Sequence, residues 1–203
     1  MSTLKKSLVI YGCGGHARSL ADVALSNGIE QLIFVDNDAR DNEKQFGFDV
    51  VKNFSLEKTT ECILALGDNK QRAALFDSLK NNIISLISIH AHIGKNAEIA
   101  KGVFVGNGAH IGPNAKIGEN TIINTHAVVE HDCVIGKHSH ISVNAVVAGK
   151  STVGDFVMIG TGATVIDRIK MCSHVTVGAG AVVVRDITEP GTYVGVPARK
   201  TEK

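Results

Sequence analysis

At 203 residues the chain has room for one or two domains and a sizeable core. Its 21 basic and 20 acidic side chains are well mixed and leave a formal net charge of +1, which argues against a nucleic-acid or membrane-surface binder. Aromatic residues are only 4% and tryptophan is absent, so base-stacking platforms are disfavoured too. The four cysteines, Cys13, Cys62, Cys133 and Cys172, are scattered without zinc-finger or redox spacing and read as free thiols in a reducing compartment. Lys5 and Lys6 precede an apolar run, but residues 8–11 are too few for a secretory signal and meet glycine at once. The expected location is the cytoplasm.

The N-terminal third reads as strand, glycine loop, helix, strand. Residues 8–11 form a short buried-type strand that runs into Gly12-Cys13-Gly14-Gly15-His16-Ala17. Residues 18–27 follow as a helix, with Leu20, Val23 and Ala24 on one face and Asn27-Gly28 as its stop. A second strand over 31–35 ends at Asp36-Asn37. Gly12, Gly14 and Ala17 satisfy the spacing G-x-G-x-x-A, and Asp36 lies nineteen residues beyond Ala17. In that context backbone N–H groups and a helix N-terminus hold a phosphate, and the acid accepts sugar hydroxyls. Only about 86 residues precede the repeat described next, so this is at most one mononucleotide half, which favours a phosphate-bearing small molecule over a dinucleotide. A later strand over 62–66 leads to Gly67-Asp68-Asn69, again glycine at a strand's C-terminal end, and a helix over 71–81 follows. His16 either touches the ligand from its loop or caps the helix.

From Ile87 to Val183 every sixth residue is Ile, Val or Met, seventeen hexads with no insertion, the last running to Thr188. A mostly small residue comes four positions later, as at Ala109, Ala127, Cys133 and Ala145, and glycine often follows the branched residue directly, as at Gly94, Gly112 and Gly136. Hexapeptide repetition marks a parallel β-helix. Each hexad is one short strand plus a corner; branched and small residues point into a narrow prism, and Gly or Asn tolerates the backbone angles of the corner. Three hexads make a triangular coil, so residues eighteen apart stack at about 4.8 Å. The expected fold is an α/β Rossmann-like half domain over residues 1–86 and a parallel β-helix with a C-terminal tail over residues 87–203.

Most of the histidines lie in the repeat, in corner or outward slots where a solvated ring is the default. One segment stands apart, Glu130-His131-Asp132. A carboxylate on one ring nitrogen fixes the tautomer and raises the basicity of the other, as removal of a proton from an attacking amine or hydroxyl requires; either Glu130 or Asp132 can supply it. Eighteen residues after His131 comes Gly149, whose N–H is then a donor to a developing oxyanion. His131, an acid and Gly149 together make an acyl-transfer site. Cys133 occupies a small inward slot, which argues against a covalent thiol route.

These residues carry a resemblance. The chain is similar to left-handed β-helix hexapeptide acyltransferases with an N-terminal nucleotide-sugar domain, a branch that includes sialic acid O-acetyltransferases and, nearer to this sequence, N-acetyltransferases of UDP-4-amino-4,6-dideoxy sugars. The likeness covers almost the whole chain: the loop from Gly12 to His16, Asp36-Asn37, Gly67, residues 129–136 and the Tyr193-Val194-Gly195-Val196-Pro197-Ala198-Arg199 tail. It implies direct acetyl transfer from acetyl-CoA, with His131 as general base, Asp132 as its orienting acid, the Gly149 N–H near the acetyl carbonyl and His140 near the thioester. It implies a UDP-amino-sugar pocket at Gly12, Gly14, Gly15, His16, Asp36, Asn37 and Gly67. It further implies a homotrimer with acetyl-CoA and the active sites between subunits, and no metal. Asn144 stands where relatives often have glycine; Asn accepts the same left-handed backbone, so the departure is neutral. Transfer to a hydroxyl of sialic acid or a related sugar is the alternative. More remote is a gamma-carbonic-anhydrase-like zinc hydratase built on His126, His131 and His90, which would require neither the glycine loop nor the tail.

Overall fold

The computed structural model describes residues 6–201. The N-terminal part comprises β1 (Ser7–Tyr11), α1 (Gly15–Ser26), β2 (Gln31–Val35), β3 (Lys44–Gln45), β4 (Phe48–Val51), β5 (Cys62–Leu64) and α2 (Asn69–Leu79). The sheet order is β3-β4-β2-β1-β5, parallel except for the β3 edge. Helix α1 forms because Ala17, Leu20, Ala21, Val23 and Ala24 recur at helical spacing, and all five are buried. Its stop residue has a second use, since the Asn27 side-chain amide donates to the Ile87 carbonyl at 2.7 Å. Helix α2 starts two residues before the expected position because Asp68 caps it, accepting the Gln71 N–H at 2.8 Å. The β3–β4 hairpin, turned by Phe46 and Gly47 at φ 51° and 82°, was not anticipated from the residue pattern.

From Leu86–Ile87 onward the chain is a left-handed parallel β-helix of three sheets. Face one stacks Leu86–Ile87, Phe104–Val105, Ile122–Ile123, His140–Ile141, Met158–Ile159 and Val175–Val177. Face two stacks His92–Ile93 through Val182–Val183, and face three stacks Glu98–Ile99 through Lys170–Met171. Partners such as His110 and Val128 are eighteen residues apart, and the branched and small residues of the hexads fill the interior as expected. The register shortens after Val183: Ile187 bridges Met171 and Tyr193 pairs with Val177, each sixteen residues on, so the last hexad is two residues short. The tail then closes as a hairpin of Gly191–Val194 and Arg199–Lys200.

The corner geometry corrects one expectation. In all fifteen hexads from Asn96 to Gly180 the residue three places after the branched one is left-handed, with φ between 54° and 76°. Asn and Gly hold many of these positions, Asn144 among them, yet so do Asp132, His138, Lys150, Phe156 and Arg168. Their torsional cost is offset by a recurring bond to the coil before, for example Lys150 N–H to His131 O at 2.9 Å and Phe156 N–H to Lys137 O at 2.9 Å. The glycines directly after the branched residue do not relieve torsion. They allow close approach: an ideal Cβ on Gly94, Gly112, Gly136 or Gly154 would stand 2.5 Å from backbone atoms of the following coil.

The N-terminal part docks on face one. Leu86, Phe104 and Ile122 share one buried cluster with Ile10, Leu20, Ala24 and Phe34. Face two is uncovered, its outward row running His92, His110, Val128, Val146, Thr164 and Val182, with Ile166 and Val184 exposed just past its strands. Face three is charged, carrying a Lys116–Glu98 pair at 3.0 Å. Gly136→Ala is expected to destabilise the fold by about 2 kcal/mol through backbone collision, whereas Asn144→Gly, which keeps the left-handed corner, changes it by less than about 1 kcal/mol; urea unfolding of the two variants checks the contrast.

Candidate active site

His131 sits at the corner between the Val128–Val129 strand of face two and the Val134–Ile135 strand of face three. Asp132 follows in the left-handed conformation, which brings its carboxylate beside the ring: His131 Nδ1 lies 2.8 Å from Asp132 Oδ2. Glu130 instead accepts the His131 backbone N–H at 3.3 Å, so of the two acids Asp132 is the one on the ring. A carboxylate only accepts, which puts the proton on Nδ1 and leaves Nε2 bare. Asn114, one coil earlier, donates to Asp132 Oδ1 at 3.2 Å, and Asn96 donates to Asn114 at 3.3 Å. The bond from His131, then that from Asn114, hold the Asp132 carboxyl below its usual range. Gly149 lies under the imidazole, where a Cβ would stand 2.6 Å from Nε2. Among the described residues its N–H has no hydrogen-bond partner.

A second group forms where the N-terminal part meets face one. His16, in the first turn of α1, packs edge-on against Phe104 at 5.3 Å and lies 6.0 Å from the His140 ring. It is not the helix cap; the N-cap is Gly14, with no side-chain bond. His140 does not follow the expectation of a solvated ring. It lies on the outward row of the docked face and is therefore covered, at 6% exposure. Asn124 Nδ2 stands 3.0 Å from His140 Nε2, while His140 Nδ1 and His16 Nε2 are buried without a well-aligned partner. Burial first, then His16 and Arg72, push His140 down to about 3; burial and Arg72 push His16 down to about 4. Both rings are neutral at neutral pH.

The remaining pocket residues lie around the C-terminal edge of the sheet. Gly12, Asp36 and Asn37 line a cleft of about 510 Å³ with Lys52, Phe54 and Gln71. Asp36 is committed in part to the loop itself: Oδ2 accepts the Cys13 N–H at 2.9 Å and Oδ1 accepts the Asp38 N–H at 3.0 Å. Gly12 needs its φ of 111°, and a Cβ there would press the Ala65 carbonyl at 3.2 Å. Gly14 and Gly15 are exposed at the uncapped start of α1. Gly67 lines a different cleft of about 540 Å³, with Asn69, Phe156, Met158 and His174, where face one continues past the N-terminal part.

The structure thus places the predicted residues in three groups: His131, Asp132 and Gly149 at the corner opposite face one; His16, His140 and Gly67 where the N-terminal part meets face one; and Gly12, Gly14, Gly15, Asp36 and Asn37 around the glycine loop. Cys133 is fully buried and burial pushes its thiol up, away from nucleophilic use. His126 and His131 occupy different corners, and among the described residues no three His, Cys, Asp or Glu side chains converge on a metal position. Two residues were missed in the sequence reading. Asn114 was within reach of the same eighteen-residue count that found Gly149. Arg72, buried in α2, gave no signal in its charge or spacing.

Comparison with known proteins is consistent with this arrangement. Residues 7–79 match the PglD N-terminal domain family, and residues 114–149 match the bacterial transferase hexapeptide (six repeats) family. No curated protein sequence matches the chain. The acetyltransferase domain of PglB from Neisseria gonorrhoeae, solved alone and with acetyl coenzyme A, is 30% identical over 97% of this chain and 100% of that one, with a TM-score of 0.91. Histidine variants of perosamine N-acetyltransferase from Caulobacter crescentus, solved with CoA and GDP-perosamine, are 29% identical over the full length of both chains, with a TM-score of 0.88. WeeI from Acinetobacter baumannii, at 19% identity and a TM-score of 0.76, shares the fold. Fold and relatives together define a hexapeptide-repeat acyltransferase. Within that class the chain belongs to the family that couples a PglD-type N-terminal domain to the left-handed β-helix.

The buried histidines carry a pH signature. Their folded values, about 4 and about 3, lie below the ordinary 6.5, so the unfolded chain takes up protons first as pH falls. Their contribution to stability is whole above pH 6.5 and drains as pH drops toward 4. Thermal unfolding at a series of pH values is expected to show this decline, and His140→Asn to make it shallower.

Proposed function

We propose that the chain transfers the acetyl group of acetyl-CoA to the amino group of a nucleotide-linked sugar, with a UDP-4-amino-4,6-dideoxy sugar as preferred acceptor. The observation that carries this reading is the His131–Asp132 pair at 2.8 Å over a bare Gly149. The acceptor amine attacks the thioester carbonyl while His131 Nε2 removes its proton. Asp132 steadies the imidazolium, and the Gly149 N–H donates to the tetrahedral oxyanion. Collapse of that intermediate breaks the C–S bond, and the departing thiolate takes the proton back from His131. Cys133 has no part in it.

The assembly we propose is a homotrimer with active sites between subunits. The uncovered Val128, Val146 and Val182 of face two, with Ile166 and Val184 beside them, support it, because three copies can bury these side chains around an axis. So does topology: the glycine-loop pocket rides on face one, while His131 lies at the opposite corner of the same prism, so a sugar held by one chain is within reach of another chain's imidazole. The 540 Å³ cleft on the free end of face one suits the pantetheine arm of the donor. The Neisseria and Caulobacter relatives support acetyl-CoA and an amino-sugar nucleotide as the substrate classes. Four free cysteines accord with a cytoplasmic enzyme.

An acetylation screen read by thiol release tests the reading. It offers a UDP-4-amino sugar, a GDP-4-amino sugar, CMP-sialic acid and free sialic acid. Turnover on the UDP-linked amine is expected, falling by at least about a thousandfold in folded His131→Ala. Preference for GDP would overturn the uridine nucleotide as the preferred carrier, acetylation of sialic acid alone would overturn N-transfer, and a fully active His131→Ala would overturn His131 as the general base.

A further inference from the structure

Arg72 carries the least expected charge in the molecule. Its side chain is 1% exposed, and no carboxylate is among its hydrogen-bond partners. All five N–H groups are spent on neutral oxygens. Nε donates to Asn120 O at 3.1 Å; Nη1 donates to Leu66 O at 3.0 Å and Gly67 O at 3.4 Å. Nη2 is shared among Asn69 Oδ1 at 2.8 Å, His138 O at 3.1 Å and Ser139 O at 3.2 Å. A guanidinium so saturated has nothing left for a ligand. A buried cation with no hydrogen-bonded counterion is a cost to the fold, and the planar fork suits the carbonyls it reaches on both sides of this junction.

The partners locate its effect. Leu66 and Gly67 lie in the loop that follows β5, Leu66 lining one cleft and Gly67 the other, and His138 and Ser139 immediately precede His140. Asn69, which Arg72 orients, donates its own amide to Val157 O at 3.2 Å, one coil further along face one. We infer that Arg72 is a positioning residue for acyl transfer: it pins the Gly67 loop to the coil that presents His140, and so sets where the His16–His140 pair stands beside the donor cleft. This rests on the proposed transferase reading. The guanidinium also opposes protonation of both rings, second to burial at His16 and after burial and His16 at His140. The charged groups around it are few: Asp68 partly balances Arg72, His138 feels Asp77, Glu119 and Asp155, and His16 and His140 face each other. With the rings kept neutral, His16 Nε2 and His140 Nδ1 remain unpartnered nitrogens at the junction.

The test uses the full chain with Arg72→Lys, which keeps the charge and loses the fork, and Arg72→Met, which loses both. Thermal unfolding, NMR titration of the His16 and His140 ring protons, and steady-state kinetics with acetyl-CoA are read on each. The proposal expects kcat to fall at least tenfold in both variants, histidine midpoints to stay low in Arg72→Lys, and both midpoints to rise in Arg72→Met. Wild-type kcat in Arg72→Lys overturns it, as does a folded Arg72→Met with unshifted midpoints. Should Arg72→Met fail to fold, Arg72→Lys alone decides through kcat. If the wild-type chain acetylates no sugar while the midpoints still rise in Arg72→Met, the transferase reading fails and the control of the histidine pair by Arg72 stands.

Discussion

Backbone stacking of successive coils is the constraint on which the rest of the molecule depends. From Gly108 onward each left-handed corner residue is held by a bond to the coil before it, and glycine is placed where the next coil comes within contact of the would-be Cβ. A corner so tightly specified cannot slip by one residue without turning every inward side chain outward. The same rigidity gives the surface its columns. Asn96, Asn114 and Asp132 stand one above another and hydrogen-bond in sequence, and the His131 ring lies over Gly149 because eighteen residues of backbone leave it nowhere else. Preorganisation at this site is inherited from the repeat, not built by a dedicated loop.

The three faces of the prism divide the remaining work. Face one is apolar over three coils and carries the N-terminal part, then turns polar at His140 and opens into a cleft at Met158 and Thr176. Face three is charged and wet. Face two is uncovered and combines valines with His92, His110 and Thr164. This asymmetry separates the imidazole from the glycine-loop pocket of its own chain, and on that separation the proposed shared site between subunits rests. Arg72 belongs to the same logic, since the junction on face one must be rigid if a ligand is to be handed across it.

The prism was largely legible from the sequence because its physics is local and periodic: one branched residue in six, one small residue four later. The His131 column followed from counting. Other features were hidden for physical reasons. The left-handed corner accepts Phe156 and Arg168 as well as Asn, so its position left no clean residue signature. His140 sits in a slot that reads as outward, and its burial comes from a separate part of the chain docking on that slot. Arg72 looks like any helical surface arginine, and only the tertiary junction makes it a buried clamp. The double commitment of Asp36 to Cys13 and Asp38 is likewise a loop contact that spacing alone could not reveal.

Subunit complementation tests the central claim most directly. His131→Ala removes the proposed base and leaves the proposed pocket. Gly15→Glu places a carboxylate at the exposed, uncapped start of α1, where a Cβ meets nothing within 4 Å, and repels a phosphate while leaving the base. Co-expressed with different tags and purified through both, the two inactive chains should form mixed trimers with roughly a third of wild-type turnover, since in either composition one of the three interfaces pairs an intact base with an intact pocket. Mixed oligomers that form and remain inactive would contradict an active site shared between subunits.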